Sequence, residues 1–162
     1  MSGRAFVFGD NIDTDVMAPG TLMKLPPEEL AQHCLAAVDP DFARTVAKGD
    51  FVVGGRSFGI GSSREQAAVS LSLLGVRAVI ARSFARIFWR NAINLGVPCI
   101  SLEQAGEISA GDRLEVDLAA GRLTNLTTGL GYDFTPLPPH LMAMMDDGGL
   151  MPHLKKKLAG AA

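Results

Sequence analysis

Cysteine is scarce in this chain, two among 162 residues, and tryptophan and tyrosine occur once each. Cys34 and Cys99 lie far apart, each in an apolar stretch. They cannot build a disulfide framework or hold an iron–sulfur cluster by themselves, and they read as buried free thiols. An excess of one charge is also missing. Fifteen basic residues against seventeen acidic ones leave a net charge of -2, which disfavours a nucleic-acid partner. The one basic run, Lys155-Lys156-Lys157, reads as a solvated tail. No apolar stretch is long enough for a membrane span, and Met1-Ser2-Gly3-Arg4 leads into a strand-like segment rather than a signal peptide. A cytoplasmic protein with no membrane and no nucleic-acid partner is expected.

What is present is an ordinary globular composition, 48% hydrophobic and 20% charged, with no internal repeat and no linker. Residues 1–162 are expected to fold as one domain with a sizeable core.

The chemistry concentrates in Gly54-Gly55-Arg56-Ser57-Phe58-Gly59-Ile60-Gly61-Ser62-Ser63-Arg64-Glu65-Gln66. An apolar run, Phe51-Val52-Val53, precedes it, and Ala67, Leu71 and Leu74 follow at helical spacing, so it reads as strand, glycine-rich loop and helix. Ser62-x-x-Glu65 and Ser63-x-x-Gln66 are two overlapping capping-box registers, so one serine is expected to cap the helix and the other to sit in its first turn. Free backbone N–H groups there, with the guanidinium of Arg64, suit a carboxylate or phosphate. Serines before a helix are more often caps alone, and neither a P-loop nor a dinucleotide fingerprint is present.

Taken in order, Arg4 to Phe8 reads as a strand followed by the turn-rich loop Gly9 to Asp15. Its aspartates Asp10, Asp13 and Asp15 lack the later glycine and glutamate of a calcium loop and read as Asx-turn formers. Glu28 to Ala37 has helical spacing with Leu30, Cys34 and Val38 on one face, His33 exposed, and prolines at its start. Asp39 is expected to cap a short helix through Arg44. Ala78 to Ala81 reads as a buried strand, and Ser83 as the cap of a helix from Phe84 to Leu95 with Phe84, Ile87, Phe88, Ala92 and Leu95 inward and Arg86, Arg90 and Ile93 elsewhere. Cys99 to Leu102 is a further strand. Alternating strands and helices argue for a parallel α/β layer. Arg113 to Asp117 and Arg122 to Leu126 alternate around Ala119-Ala120-Gly121 as a hairpin. His140 to Asp147 is a last helix, and Lys155 to Ala162 is expected to be loose.

Three segments carry a family resemblance: Gly9-Asp10-Asn11-Ile12-Asp13-Thr14-Asp15-Val16, Gly59-Ile60-Gly61-Ser62-Ser63-Arg64-Glu65 and Ser83-Phe84-Ala85-Arg86-Ile87-Phe88. In this order and spacing they resemble the small subunits of 3-isopropylmalate dehydratase and homoaconitase, above all the short archaeal type, and the swivel domain of aconitase. The resemblance covers nearly the whole chain. It implies a swivelling β/β/α three-layer α/β domain, a mostly parallel sheet plus a C-terminal hairpin, that closes over a separate large subunit. That partner would carry a [4Fe-4S] cluster, with no cofactor or metal bound by this chain, and self-association of the isolated chain stays open.

The implied reaction is reversible removal and re-addition of water on a 2-hydroxy dicarboxylic acid. Ser62 matches the family's catalytic serine, acting as its alkoxide to take a proton from substrate carbon; Ser63 and Arg64 match carboxylate-binding positions; Asp15 matches an active-site aspartate orienting an arginine or a substrate hydroxyl. Gln66 stands where many members have histidine and Ile60 where archaeal-type members often have cysteine. After Pro19-Gly20 comes the loop that reads the substrate's variable group, here Thr21-Leu22-Met23-Lys24. Met23 aligns with the arginine of members whose substrate has a third carboxylate, so Leu22 and Met23 favour an alkyl substituent, while Lys24, one residue beyond Met23, can still swing in to meet a carboxylate. Isopropylmalate is the expected substrate; 2,3-dimethylmalate fits the same loop, and homocitrate or a non-catalytic carboxylate-binding regulatory domain are the alternatives. Glycine and prolines make Pro19 to Pro27 a candidate lid.

Overall fold

A computed structural model describes residues 2–161. Its sheet contains β1 (Ser2–Val7), β2 (Phe51–Val53), β3 (Ala78–Ala81), β4 (Cys99–Ser101), β5 (Arg113–Asp117), β6 (Arg122–Asn125) and β7 (Gly131–Asp133), in the order β4-β3-β2-β1-β5-β6-β7. The first four strands run parallel, with Ala5 opposite Phe51 and Phe51 opposite Ala78. The last three form an antiparallel meander joined to β1 by Gly3 opposite Leu114. The first strand therefore joins the two halves of the sheet, residues 2–4 pairing with the meander and residues 5–7 with β2.

Alternation along the parallel strands separates two cores. Phe51, Val53, Ala78, Ile80 and Ile100 pack with Leu114, Leu123 and Tyr132 of the meander. Val52, Val79 and Ala81 face the other way, onto the helices. Burial on both faces explains the unbroken apolar runs in the sequence. The three layers are thus helices, parallel strands and meander, as the resemblance implied.

The helical layer comprises α1 (Thr14–Met17), α2 (Pro27–Ala31), α3 (Phe42–Thr45), α4 (Glu65–Leu73) and α5 (Arg86–Asn94), and α6 (Pro139–Asp146) and α7 (Leu150–Ala161) follow the meander. Phe42 meets the rings of Phe6 and Phe8 edge-on at 5.3 and 5.6 Å. Ala67 and Leu71 of α4 and Phe88 and Ala92 of α5 are fully buried in the helix-side core; each large side chain so buried contributes about 1.5–3 kcal/mol.

Several local expectations give way to tertiary contacts. The second helix stops at Ala31 instead of Ala37: Leu35 turns to φ +60 and donates its N–H to Val16 O at 3.0 Å, which leaves Cys34 and Leu35 buried and Val38 half exposed. Asp41, not Asp39, is the residue before α3, and Asp39 accepts the Asp41 N–H instead. The fifth helix begins after Ala85, because the Ser83 hydroxyl accepts the Ser57 N–H at 2.8 Å and so fastens two loops together. On that helix Ile93 is buried and Ile87 is 52% exposed. Packing of α5 against both α4 and the C-terminal helices covers flanks that one amphipathic stripe does not foresee.

The C-terminal tail is helical through Ala161, with Ala162 outside the described residues. Asp147 anchors it, bonded to His153 Nδ1 at 2.7 Å and to Lys156 Nζ at 2.9 Å. The strand β7 was not foreseen, its three residues being too short for a periodic signal. Among the described residues no helix is long and apolar enough to cross a membrane.

Candidate active site

The loops that leave β1 and β2 meet beyond the ends of these strands, where ligand sites of parallel sheets lie. Asp13 and Ile60 pair as an isolated parallel bridge, with Thr14 N donating to Ile60 O at 2.9 Å and Gly59 N to Ile12 O at 2.7 Å. Asp13 also accepts the Val16 N–H at 2.8 Å and caps α1. Two glycines make this fit. Gly59, at φ +85, lies directly on Phe88, and Gly61, at φ +109, would place a Cβ 3.0 Å from Thr14 Oγ1.

Both serine-capping registers fail. Arg64 is the residue before the helix, at φ -58 and ψ 113, and no side chain caps α4. Thr14, distant in sequence, has taken the relevant atoms of Ser62: its Oγ1 lies 3.1 Å from Ser62 Oγ and accepts the Ser62 N–H at 3.1 Å. Ser62 and Ser63 are exposed just ahead of the helix rather than within its first turn. The opening N–H groups of α4 stay uncapped by side chains and point their partial positive charge at this surface.

Arg64 bridges the loops. Its Nη1 donates to Asp15 Oδ1 at 2.8 Å and to Ala18 O at 3.2 Å, while the Gly20 N–H donates to the same Asp15 oxygen at 2.8 Å. Gly20 leaves room for this arrangement, since a Cβ there would stand 3.1 Å from both Arg64 Nη2 and Asp15 Oδ1. The Arg64 hydrogen bond, then that of Gly20, holds the Asp15 carboxyl below its ordinary range, so Asp15 is an anion at neutral pH. One face of the guanidinium is fixed by Asp15, and the Arg64 side chain is 30% exposed.

Ser62, Ser63, Arg64 and Asp15 are thereby brought onto one surface. Leu22 ends the 3-10 turn Gly20–Leu22, whose start is tied to Asp15 through Gly20, and Met23 follows it; both are half-buried against the helix-side core, and Lys24 is exposed. Thr14 is the residue that sequence reasoning passed over, although it lies inside the quoted Asp13-Thr14-Asp15 segment. Its burial marks it, at 2% exposed. Cys34 and Cys99 are buried free thiols, on which burial pushes the ionisation far upward, and they do not fit an iron–sulfur cluster. Among the described residues no group of three His, Cys, Asp or Glu side chains is placed to share a metal ion.

Residues 33–105 match the model of the aconitase C-terminal domain. The chain is 51% identical to 3-isopropylmalate dehydratase small subunit 1 of Thermotoga maritima, covering 95% of this chain and 94% of that one. It is 46% identical to the methanogen homoaconitase small subunit of Methanothermobacter thermautotrophicus, over 96% and 91% of the two chains. A crystal structure of 3-isopropylmalate dehydratase from Methanocaldococcus jannaschii superposes with a TM-score of 0.91 at 41% identity, covering 99% of this chain and 96% of that one. The layered fold with its serine–arginine loop is the aconitase swivel domain. The chain belongs to the aconitase family, among the small subunits of 3-isopropylmalate dehydratase type.

Proposed function

We propose that this chain is the small subunit of a hydro-lyase that interconverts 2-isopropylmalate and 3-isopropylmalate by dehydration and rehydration, as in leucine biosynthesis. The observation that carries the reading is the convergence of Ser62, Arg64 and Asp15 on one exposed surface from segments 49 residues apart. A large-subunit partner follows from membership among small subunits. That partner would hold the [4Fe-4S] cluster and with it the chemistry that labilises the substrate hydroxyl.

The residues of this chain supply the rest. Ser62 takes the proton from the substrate carbon, and Arg64, its one edge fixed by Asp15, offers planar donors to a substrate carboxylate, assisted by Ser63. Ser62 and Ser63 stand in solvent in the isolated chain. Closure of the partner over this face excludes water and strengthens each of these interactions. Activity therefore needs both chains.

Arg64→Lys is expected to lower kcat/KM by at least tenfold, about 1.4 kcal/mol, because an ammonium cannot serve Asp15 and a carboxylate in one plane. Steady-state kinetics that match the parent chain would remove Arg64 from substrate binding. Substrate choice is assigned to Leu22 and Met23, which offer an apolar surface to an isopropyl group; a carboxylate left unpaired there would cost more than the roughly 2–7 kcal/mol of an unpaired neutral polar group. Rates on isopropylmalate, 2,3-dimethylmalate and homocitrate, measured in parallel for the assembled enzyme and its Met23→Arg variant, test this. The parent should prefer an alkyl malate and the variant should move toward homocitrate. Ratios that do not move would show that another segment reads the side group.

A further inference from the structure

A serine hydroxyl ionises far above neutral pH, so a serine base needs a hydrogen-bond donor aimed at its oxygen. Nη1 of Arg64 is engaged by Asp15 and Ala18 O, and its other donors are assigned to the substrate carboxylate. Thr14 is in place. Its Oγ1 is 3.1 Å from the Ser62 nitrogen and 3.1 Å from Ser62 Oγ. A backbone N–H can only donate, so Thr14 Oγ1 accepts that bond and keeps its single proton for the neighbouring oxygen.

We propose that Thr14 is a positioning residue that stabilises ionised Ser62 by donating its hydroxyl hydrogen bond to Ser62 Oγ. The proposal rests on the reading of Ser62 as the base. With Ser62 neutral, either hydroxyl can donate across the pair. Once Ser62 has lost its proton, only Thr14 can, and the bond becomes charge-assisted and stronger. Thr14 therefore favours the ionised form over the neutral one. When Ser62 takes up the substrate proton, Thr14 retains its own, and the pair returns to a neutral hydrogen bond.

The placement is rigid. Thr14 is 2% exposed, so bulk water does not compete for its proton. Its backbone is fixed by the bond from Thr14 N to Ile60 O and by the Asp13 cap. Gly61 allows the approach, since a side chain there would crowd Thr14 Oγ1.

The test uses this chain assembled with its anaerobically reconstituted large subunit. In Thr14→Val and Thr14→Ala, kcat should fall by roughly tenfold to a hundredfold with KM within about twofold. The acid limb of the kcat–pH profile should move to higher pH, because the base is harder to ionise. Thr14→Ser, which keeps the hydroxyl, should restore most of the rate and the parent pH profile. A lower rate with an unmoved acid limb, a parent-like Thr14→Val, or a Thr14→Ser as impaired as Thr14→Val would each overturn the proposal. Ser62→Ala is run beside them. If it is inactive while the Thr14 variants behave as the parent, Thr14 alone is ruled out; if it remains active, the base assignment itself has failed.

Discussion

Ser62→Ala is expected to lower turnover of the assembled enzyme by about a thousandfold or more, the scale of a positioned proton-transfer group. The chain should still fold and bind its partner. Ser62 is exposed, and its backbone N–H would still donate to Thr14 Oγ1 in the variant, so the loss is confined to one surface hydroxyl and its single bond to Thr14 Oγ1. Kinetics with saturating large subunit, beside a thermal melt and a binding titration, separate the two effects. Turnover within tenfold of the parent would take the proton-transfer role away from Ser62.

The second large effect concerns stability. In Gly59→Ala the new methyl would lie 2.3 Å from both Cβ and Cγ of Phe88, on a residue at φ +85. Phe88 cannot retreat. It is 1% exposed, 5.3 Å from the ring of Phe58, and stacked with Phe84 at 6.4 Å. Backbone strain and overpacking together are expected to cost about 3 kcal/mol or more. Gly106→Ala is the control: nothing stands within 4 Å of its added carbon, and a change within about 0.5 kcal/mol is expected. Denaturant melts that do not distinguish the two variants would contradict the packing described for the serine loop. Loss of Gly59 should also remove activity in proportion to the unfolded fraction, since Gly59 N to Ile12 O is one of the bonds joining the two halves of the site.

Much of the fold was legible because its signals are local. The apolar runs Phe51-Val52-Val53 and Ala78 to Ala81 match strands buried on both faces, and the alternation of residues 113–117 and 122–125 matches the β5–β6 hairpin. The serine caps were illegible for a physical reason. Capping is a local preference worth about 1 kcal/mol, and Ser62 and Ser83 are instead held by Thr14 and by the Ser57 N–H, residues distant in sequence. Leu35 shows the same override, where its N–H donated to Val16 O and a left-handed turn end a helix that spacing alone would continue. Ile87 and Ile93 exchange expected environments, and α5 packs against α6 and α7 as well as α4, a packing not visible as a period.

The site was legible in its residue types and not in its connections. Asp15 and Arg64 stood in separate motifs, and their bond required the bridge between Asp13 and Ile60 that aligns the two loops. Thr14 carried no chemical signal in sequence, being one threonine between two aspartates. Only its burial and its two approaches to Ser62 give it a role.

The central claim is that this surface completes an active site shared with a cluster-bearing partner. The direct measurement is hydro-lyase turnover of isopropylmalate by the purified chain alone, by the anaerobically reconstituted large subunit alone, and by the two mixed. Turnover in the mixture only, saturating with added small subunit, is the predicted result. Turnover by the large subunit at the same rate without this chain, or none in the mixture on any alkyl malate while the cluster is intact, would contradict it.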